Sequence, residues 1–163
     1  MSKLIANLAL YLFVFSISYT ASANAAPSVF TKSSFEEIKR QNLGKKWLMI
    51  LWSIDCPPCF KELAIIQKLQ EETPNIAVVI VNVDDNNETA RERQEVINSY
   101  KLSTLSNYYF ADGLGDQSRY LIDKSWYGEL PRSYFIAENG DFHGKSGLVK
   151  EGIIKKWLVL EEK

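Results

Sequence analysis

The sequence predicts an α/β domain in which a mixed central sheet is flanked by helices on both faces. Two apolar runs, Trp47–Trp52 and Ile76–Val83, have the length and continuity of strands that are buried on both faces. Between them, apolar residues recur at helical spacing from Pro57 and stop before Pro74. Later in the chain, an Asn139-Gly140 turn predicts a hairpin, because this dipeptide supports the positive φ angles of a tight turn.

The predicted elements alternate in type along the chain, which favours parallel strands joined by right-handed helical crossovers. Residues 112–128 are interpreted as a loop with a turn or two of helix around residues 118–123. The predicted order is a helix ending at residue 43, a strand at 47–52, a helix at 57–73, a strand at 76–83, a helix at 88–100, a short strand at 108–110, hairpin strands at 133–137 and 141–146, and a helix at 152–160.

The N-terminus has the pattern of an export signal. Lys3 precedes an apolar stretch over residues 4–19, and a small-residue run follows at residues 21–26. We therefore predict a signal peptide at residues 1–25 and one domain at residues 26–163. An uncleaved N-terminal anchor is the alternative, because the apolar stretch is slightly long for a signal. Either interpretation predicts a periplasmic or extracytoplasmic location.

Composition excludes some classes of function. The net charge of −1 gives no general attraction to nucleic acid, and the hydrophobic content of 46% is ordinary for a soluble domain. The chain has only two cysteines, Cys56 and Cys59, and they lie too close together to close a stabilising loop. In an exported chain, one close cysteine pair favours redox chemistry.

The cysteine pair lies where a strand passes into a helix, in the run Trp52-Ser-Ile-Asp-Cys-Pro-Pro-Cys59. The positive end of the helix dipole and the N–H groups there stabilise a thiolate at Cys56, and the thiolate is the nucleophile in disulfide exchange. Pro57 and Pro58 suit the first helical turn. We therefore expect Cys56 to attack a partner disulfide and Cys59 to resolve the mixed disulfide.

Two other interpretations of the pair remain, an inert disulfide and a thiolate metal-binding module. A zinc site needs two further ligands, and the chain offers only His143 and no second cysteine pair. We therefore expect no metal and no cofactor.

At this point the sequence resembles a known family, the TlpA-like branch of the thioredoxin superfamily, over about residues 34–160. The resemblance is carried by Trp52, by the Cys-Pro-Pro-Cys run with Glu62 three residues after it, and by Gly128-Glu-Leu-Pro131 before the hairpin. It implies a thioredoxin-like fold, with a cis peptide bond at Pro131 that presents the Leu130 backbone to a substrate strand beside Cys56.

The resemblance also implies a function. Relatives reduce disulfides in exported proteins or in apocytochrome c, and a membrane electron-donor protein reduces them in turn. A disulfide oxidase or isomerase on the same fold is the alternative.

Two departures from the family pattern affect the chemistry. Asp55 precedes the first cysteine, where relatives commonly carry an aromatic or small residue, and its charge should disfavour the neighbouring thiolate. Ile50 replaces the polar or acidic residue that relatives carry beneath the disulfide. Glu62 is therefore the nearest candidate proton acceptor for Cys59, because the two are i, i+3 on one helix. The alternative is a solvated Glu62 with no role.

Weaker candidates are interpreted without a catalytic role. His143 is expected to be an exposed hairpin residue, and turn chemistry explains Asp84 and Asp85. For Trp126 and Tyr127 both a recognition groove and core packing remain open.

Overall fold

The structure, a computed structural model, describes residues 27–158, so the predicted signal peptide at residues 1–25 lies outside the described residues. Within 27–158 no helix combines the length and apolarity needed to cross a bilayer. The elements are β1 (Ser28–Phe30), α1 (Lys32–Gln41), β2 (Trp47–Trp52), α2 (Pro57–Glu72), β3 (Val78–Asn82), a 3₁₀ turn (Asn87–Thr89), α3 (Ala90–Ser99), β4 (Ser106–Phe110), α4 (Gly115–Ile122), β5 (Arg132–Ile136), β6 (Phe142–Ser146) and α5 (Glu151–Leu158).

The strands form one mixed sheet in the order β1-β4-β3-β2-β5-β6. Strands β1, β4, β3 and β2 are parallel, whereas β5 runs antiparallel to β2 and to β6. The central strand β2 is buried along its whole length, because it has a neighbour on each side and helices above and below. Its carboxyl end leads directly to Cys56.

The direction of the crossovers divides the helices between the two faces. The chain moves one way across the sheet from β1 to β2 and returns from β2 through β3 to β4, so right-handed crossovers put α1 opposite α2 and α3. The core accordingly forms two clusters. Helices α2, α3 and α5 cover the first face, which contains both cysteines, and α1 and α4 cover the second.

The structure confirms the predicted α/β architecture and differs in details. The sequence analysis missed β1, which has three residues and pairs with β4 at the sheet edge. Helix α4 begins at Gly115, three residues before the expected turn of helix, and α1 ends at Gln41 instead of residue 43. The predicted end of the last helix, residues 159–160, lies outside the described part of the chain.

Candidate active site

The two cysteines form a disulfide at the start of α2, with their Cα atoms 5.3 Å apart. Cys56 occupies the N-cap position and Cys59 lies one turn inside the helix. Cys59 is completely buried, whereas Cys56 keeps 7% of its surface exposed. A partner can therefore approach the Cys56 sulfur more directly than the Cys59 sulfur, which is the asymmetry that disulfide exchange needs.

The two prolines limit what the helix start can offer to a thiolate. Pro57 and Pro58 are the first two residues of α2 and have no N–H group. The next amide, that of Cys59, donates to the Cys56 carbonyl oxygen at 2.9 Å. A Cys56 thiolate would therefore gain from the helix dipole. The expected stabilisation by N–H groups is wrong for residues 57–59, because none of them has an N–H group that is free to donate to the sulfur.

The loop before β5 lies beside this site. Arg132, the first residue of β5, pairs with Leu51 of β2, so Pro131 lies next to the end of β2, where the chain turns towards Cys56. The Leu130–Pro131 peptide bond is cis. Leu130 is half-buried and packs against both core clusters.

The two aromatic residues of this loop separate into different environments. Trp126 is buried in the second cluster, and its indole N–H donates to the Glu129 carbonyl oxygen at 3.0 Å. Tyr127 is 89% exposed. Trp126 is therefore a core residue that fastens the loop, and Tyr127 is available at the surface.

Glu62 is buried between α2 and the sheet. Its Oε1 accepts a hydrogen bond from the Ser133 hydroxyl of β5, and its Oε2 is buried without a partner among the described residues. Burial raises the pKa of Glu62 to about 7, and the Ser133 hydrogen bond opposes this rise only in part. The solvated alternative is therefore wrong for Glu62. A carboxyl group with this pKa can hold or release a proton near neutral pH.

The remaining predicted residues take up other positions. Trp52 is buried in the first cluster, with its ring centroid 6.4 Å from that of Phe60. Ile50 pairs with Ser133 across the sheet, so the polar group near this point comes from β5 instead of β2. Asp55 is exposed beside Cys56. His143 is exposed on β6, with its ring 6.4 Å from Trp157.

Sequence reasoning missed two parts of the site. Ser133 carried a weak signal, because it is a polar residue in an otherwise apolar strand, two residues after Pro131. The second part joins Asp84 to Asn82 and Arg93 and has no comparable signal, because most residues of the helix that contains Arg93 are polar or charged. Within residues 27–158, no group of three or more His, Cys, Asp or Glu side chains is arranged to hold a metal ion.

Known proteins share this fold, although no protein-family model matches the sequence. Sporulation thiol-disulfide oxidoreductase A of Bacillus subtilis (strain 168) is 28% identical over 137 residues, which cover 82% of this chain and 79% of the relative. The crystal structure of StoA from Bacillus subtilis has a TM-score of 0.51 at 25% identity and covers 71% of this chain and 84% of that one.

Another protein shares the fold at lower identity. It is a secreted Mycobacterium tuberculosis disulfide oxidoreductase homologous to E. coli DsbE, with a TM-score of 0.55 at 18% identity over 73% of this chain and 84% of that one. The thioredoxin-like fold is the fold of these proteins. The cysteine pair at the start of α2 is consistent with the oxidoreductase activity that their names give. The chain is therefore similar to thiol:disulfide oxidoreductases that have a thioredoxin-like fold.

Proposed function

We propose that this oxidoreductase works as a reductase and passes two electrons from the Cys56–Cys59 dithiol to disulfides in exported proteins or in apocytochrome c. The observation that favours reduction over oxidation is the set of residues around Cys56 at the start of α2. Two prolines without N–H groups follow Cys56, and the exposed carboxylate of Asp55 precedes it. Both features leave the Cys56 thiolate less stabilised than in strongly oxidising relatives, whose reduced form is favoured by a very acidic thiol.

The reaction proceeds in two exchanges. The Cys56 thiolate attacks one sulfur of the partner disulfide, which breaks that bond, forms a mixed disulfide and releases one partner thiolate. Cys59 then loses its proton and attacks the Cys56 sulfur. This forms the Cys56–Cys59 disulfide and releases the second partner thiolate, so the enzyme is oxidised by two electrons and the partner is reduced by two.

Glu62 is the proposed acceptor for the Cys59 proton. It is one helical turn from Cys59, is buried on the same side of α2, and has an oxygen, Oε2, without a partner among residues 27–158. Its raised pKa of about 7 suits a group that takes up a proton near neutral pH and returns it when the disulfide is reduced again.

The proposed substrate-binding surface is the backbone at Leu130 and Pro131. This loop lies at the end of β2, next to the turn that leads to Cys56. An extended segment of a partner can run along the loop with its cysteine directed at the Cys56 sulfur. The partners are then disulfide-bearing exported proteins on the substrate side and a membrane electron-donor protein on the other.

The location is part of the same proposal. Residues 1–25 act as an export signal, or remain as an N-terminal anchor, and the domain works in the periplasm or another extracytoplasmic space. Sequencing the N-terminus of the exported protein separates the two forms, because a cleaved signal would leave a chain that begins near Ala26.

The reduction potential tests the direction. Titration of the Cys56–Cys59 couple against glutathione should give a potential near or below roughly −200 mV, whereas an oxidase would lie nearer −120 mV. A value at the oxidising end would overturn the reductase proposal and favour the oxidase or isomerase. Stoichiometric zinc in protein purified reduced and without oxygen would instead favour the metal-binding alternative.

A further inference from the structure

The turn that leads to Cys56 is fastened to a second strand by a side chain. Within the turn, the Cys56 N–H donates to the Ser53 carbonyl oxygen at 3.2 Å, and the Asp55 N–H donates to the Ser53 hydroxyl at 3.1 Å. The Ile54 N–H points out of the turn and donates to Oδ2 of Asp84 at 2.9 Å. Asp84 follows β3, thirty residues later in the chain, so this bond joins two separate segments at a point two residues before Cys56.

The Asp84 carboxylate is itself held in place by a buried amide. Nδ2 of Asn82 donates to Oδ2 of Asp84 at 2.7 Å, and the Asp84 N–H donates back to Oδ1 of Asn82 at 3.2 Å. Asn82 is 1% exposed and lies opposite Trp52 in the β2–β3 register. The carboxylate therefore has little freedom to turn away from Ile54.

The amide is held in turn by a buried cation. Nη1 of Arg93 donates to Oδ1 of Asn82 at 3.2 Å, and the guanidinium lies 4.2 Å from the ring centroid of Tyr109. Arg93 is 5% exposed. A buried guanidinium is costly unless nearby groups compensate for the lost water, and Asn82 and Tyr109 supply that compensation here.

Asp84, Asn82 and Arg93 form a hydrogen-bonded chain that ends at the turn before Cys56. The carboxylate lies at one end and the guanidinium at the other, and the Asn82 amide is oriented between them with its N–H towards the anion and its oxygen towards the cation. Charge-assisted hydrogen bonds of this kind are stronger than neutral ones.

We propose that Asp84 is a positioning residue for Cys56, because it fixes the Ser53–Cys56 turn through the Ile54 N–H, while Asn82 and Arg93 hold its carboxylate. The inference rests on the proposed role of Cys56 as the nucleophile. A turn held in this way keeps the Cys56 sulfur aligned with the partner's sulfur–sulfur bond, and misplacement of reacting atoms by about 1 Å is expected to slow such a step by up to 10²-fold.

The test compares three variants of the reduced protein with the wild type. The rate of exchange with a cysteine-containing peptide disulfide is measured at a pH at which the Cys56 thiol is fully ionised, so that changes in thiolate population do not contribute. Asp84→Ala should react about tenfold more slowly. Asp84→Asn keeps an oxygen acceptor for the Ile54 N–H and should stay within about twofold of wild type, since the hydrogen bond survives. The matched control is Asp85→Ala, which removes the same charge from the next residue, whose carboxylate binds the Gly115 N–H at 3.0 Å.

A second measurement follows the turn directly. Amide hydrogen exchange at Ile54 in the oxidised protein should be about tenfold faster in Asp84→Ala and unchanged in Asp84→Asn and Asp85→Ala. Should Asp84→Ala fail to fold, Arg93→Met serves the same purpose, because it keeps the packing on Tyr109 but removes the donor to Asn82. A smaller acceleration at Ile54, about threefold, is expected there.

The outcomes separate this inference from the proposed function. If the wild type exchanges thiols through Cys56 and Asp84→Ala matches it, the positioning role is wrong and the proposed function stands. Equal losses in Asp84→Ala and Asp84→Asn would also overturn the inference, because the charge and not the hydrogen bond would then matter. A wild type in which Cys56→Ser leaves exchange intact would contradict the proposed function itself.

Discussion

Strand β5 carries two polar sites on opposite faces, and their carboxyl groups behave in opposite ways. Ser133 faces the first cluster and donates to Glu62, whose Oε2 is buried and has no partner in the described part of the chain. Arg132 and Tyr134, its neighbours in the strand, face the other side, and both contact Asp123. The two carboxyl groups lie on either side of one strand, yet the pKa of Glu62 is raised and that of Asp123 is lowered.

The pKa values of Glu62 and Asp123 shift in opposite directions because the two carboxyl groups have different numbers of hydrogen-bond donors, and not because of burial alone. Ser125 donates to Asp123 through its hydroxyl and its backbone N–H, and this is the largest reason why the Asp123 pKa falls; Tyr134 and Arg132 add to it. Glu62 is completely buried, and the described residues offer it one neutral donor, the Ser133 hydroxyl. A carboxyl group with many partners is a structural anion, whereas one with a single partner is free to exchange a proton.

The largest expected effect is on the pH dependence of stability at Glu62. Because its pKa in the folded protein is about 7, against an ordinary value of 4.5, the folded state keeps a proton that the unfolded chain has lost between these values. The free energy of unfolding should therefore fall by up to about 3 kcal/mol as pH rises through this window. In Glu62→Gln this decline should disappear.

Urea unfolding of the oxidised protein at several pH values between 4.5 and 8 measures the decline. The control is Glu71→Gln, which changes an exposed glutamate of the same helix and should leave the slope close to that of wild type. An equal decline in Glu62→Gln and wild type would show that Glu62 is not the group that titrates.

The second prediction removes one partner of Asp123, the carboxylate that has several donors. Arg132 pairs with Asp123 at 3.0 Å and donates to Ser146 at 2.7 Å, so Arg132→Met leaves a partly buried carboxylate with fewer partners. We expect a loss of about 2 kcal/mol at neutral pH. The Asp123 pKa is lowered, so its contribution is present above about 3.8 and is lost as pH falls below that value. The cost of Arg132→Met should therefore shrink in acid, the opposite trend to that at Glu62.

Chemical denaturation at pH 7 and pH 3.5 checks this. Arg132→Lys is the matched control, since it keeps the charge but loses the planar fork, and an intermediate cost is expected. A cost that grows in acid would contradict the assignment of Asp123 as a paired anion.

The third prediction concerns the single donor to Glu62. Removal of the Ser133 hydroxyl in Ser133→Ala should raise the Glu62 pKa further, because that hydrogen bond is the influence that lowers it. Glu62 would then be protonated at pH 7 and unable to accept the Cys59 proton, so resolution of a mixed disulfide should slow severalfold at pH 7 and recover at higher pH.

The measurement starts from a preformed mixed disulfide between Cys56 and a peptide and follows the rate of peptide release against pH. The midpoint of this pH profile reports the group that accepts the Cys59 proton. Ser133→Thr keeps the hydroxyl and should keep the wild-type midpoint. The proton-acceptor role of Glu62 fails if Ser133→Ala and wild type share one profile.

How far the sequence predicts this structure depends on how local each feature is. The strand–turn–helix unit around Cys56 and the hairpin at Gly140 are local in sequence, so apolar runs and turn residues predict them. Strand β1 is different. It has three residues, and its partners, Tyr108 to Phe110, lie about eighty residues away, so no window of sequence contains the reason for it.

The same argument applies to the site. The cysteines were predictable from one short run, and Glu62 from its spacing on the helix. Whether Glu62 is solvated or buried depends on β5, which packs against α2 only in the folded chain. The burial of Arg93 depends in the same way on Asn82 and Tyr109, which are on different strands. From its charge alone, Arg93 is therefore expected at the surface, and only the tertiary contacts show that it is buried.

The smallest expected effect belongs to a third carboxylate, Asp55, which is exposed beside Cys56 and so shares neither the burial of Glu62 nor the partners of Asp123. Asp55→Asn removes a negative charge next to the nucleophile and should lower the pKa of the Cys56 thiol, since a nearby anion disfavours the thiolate. The shift should be small and should shrink further in high salt, because solvent screens an exposed charge. A more acidic Cys56 stabilises the reduced form, so the potential should move slightly in the oxidising direction.

Thiolate absorbance followed against pH at low and high salt measures the shift, with Asp55→Glu as the control that keeps the charge. An unchanged or raised Cys56 pKa in Asp55→Asn would mean that Asp55 does not act on the thiolate, and the case for a reductase would then rest on the two prolines.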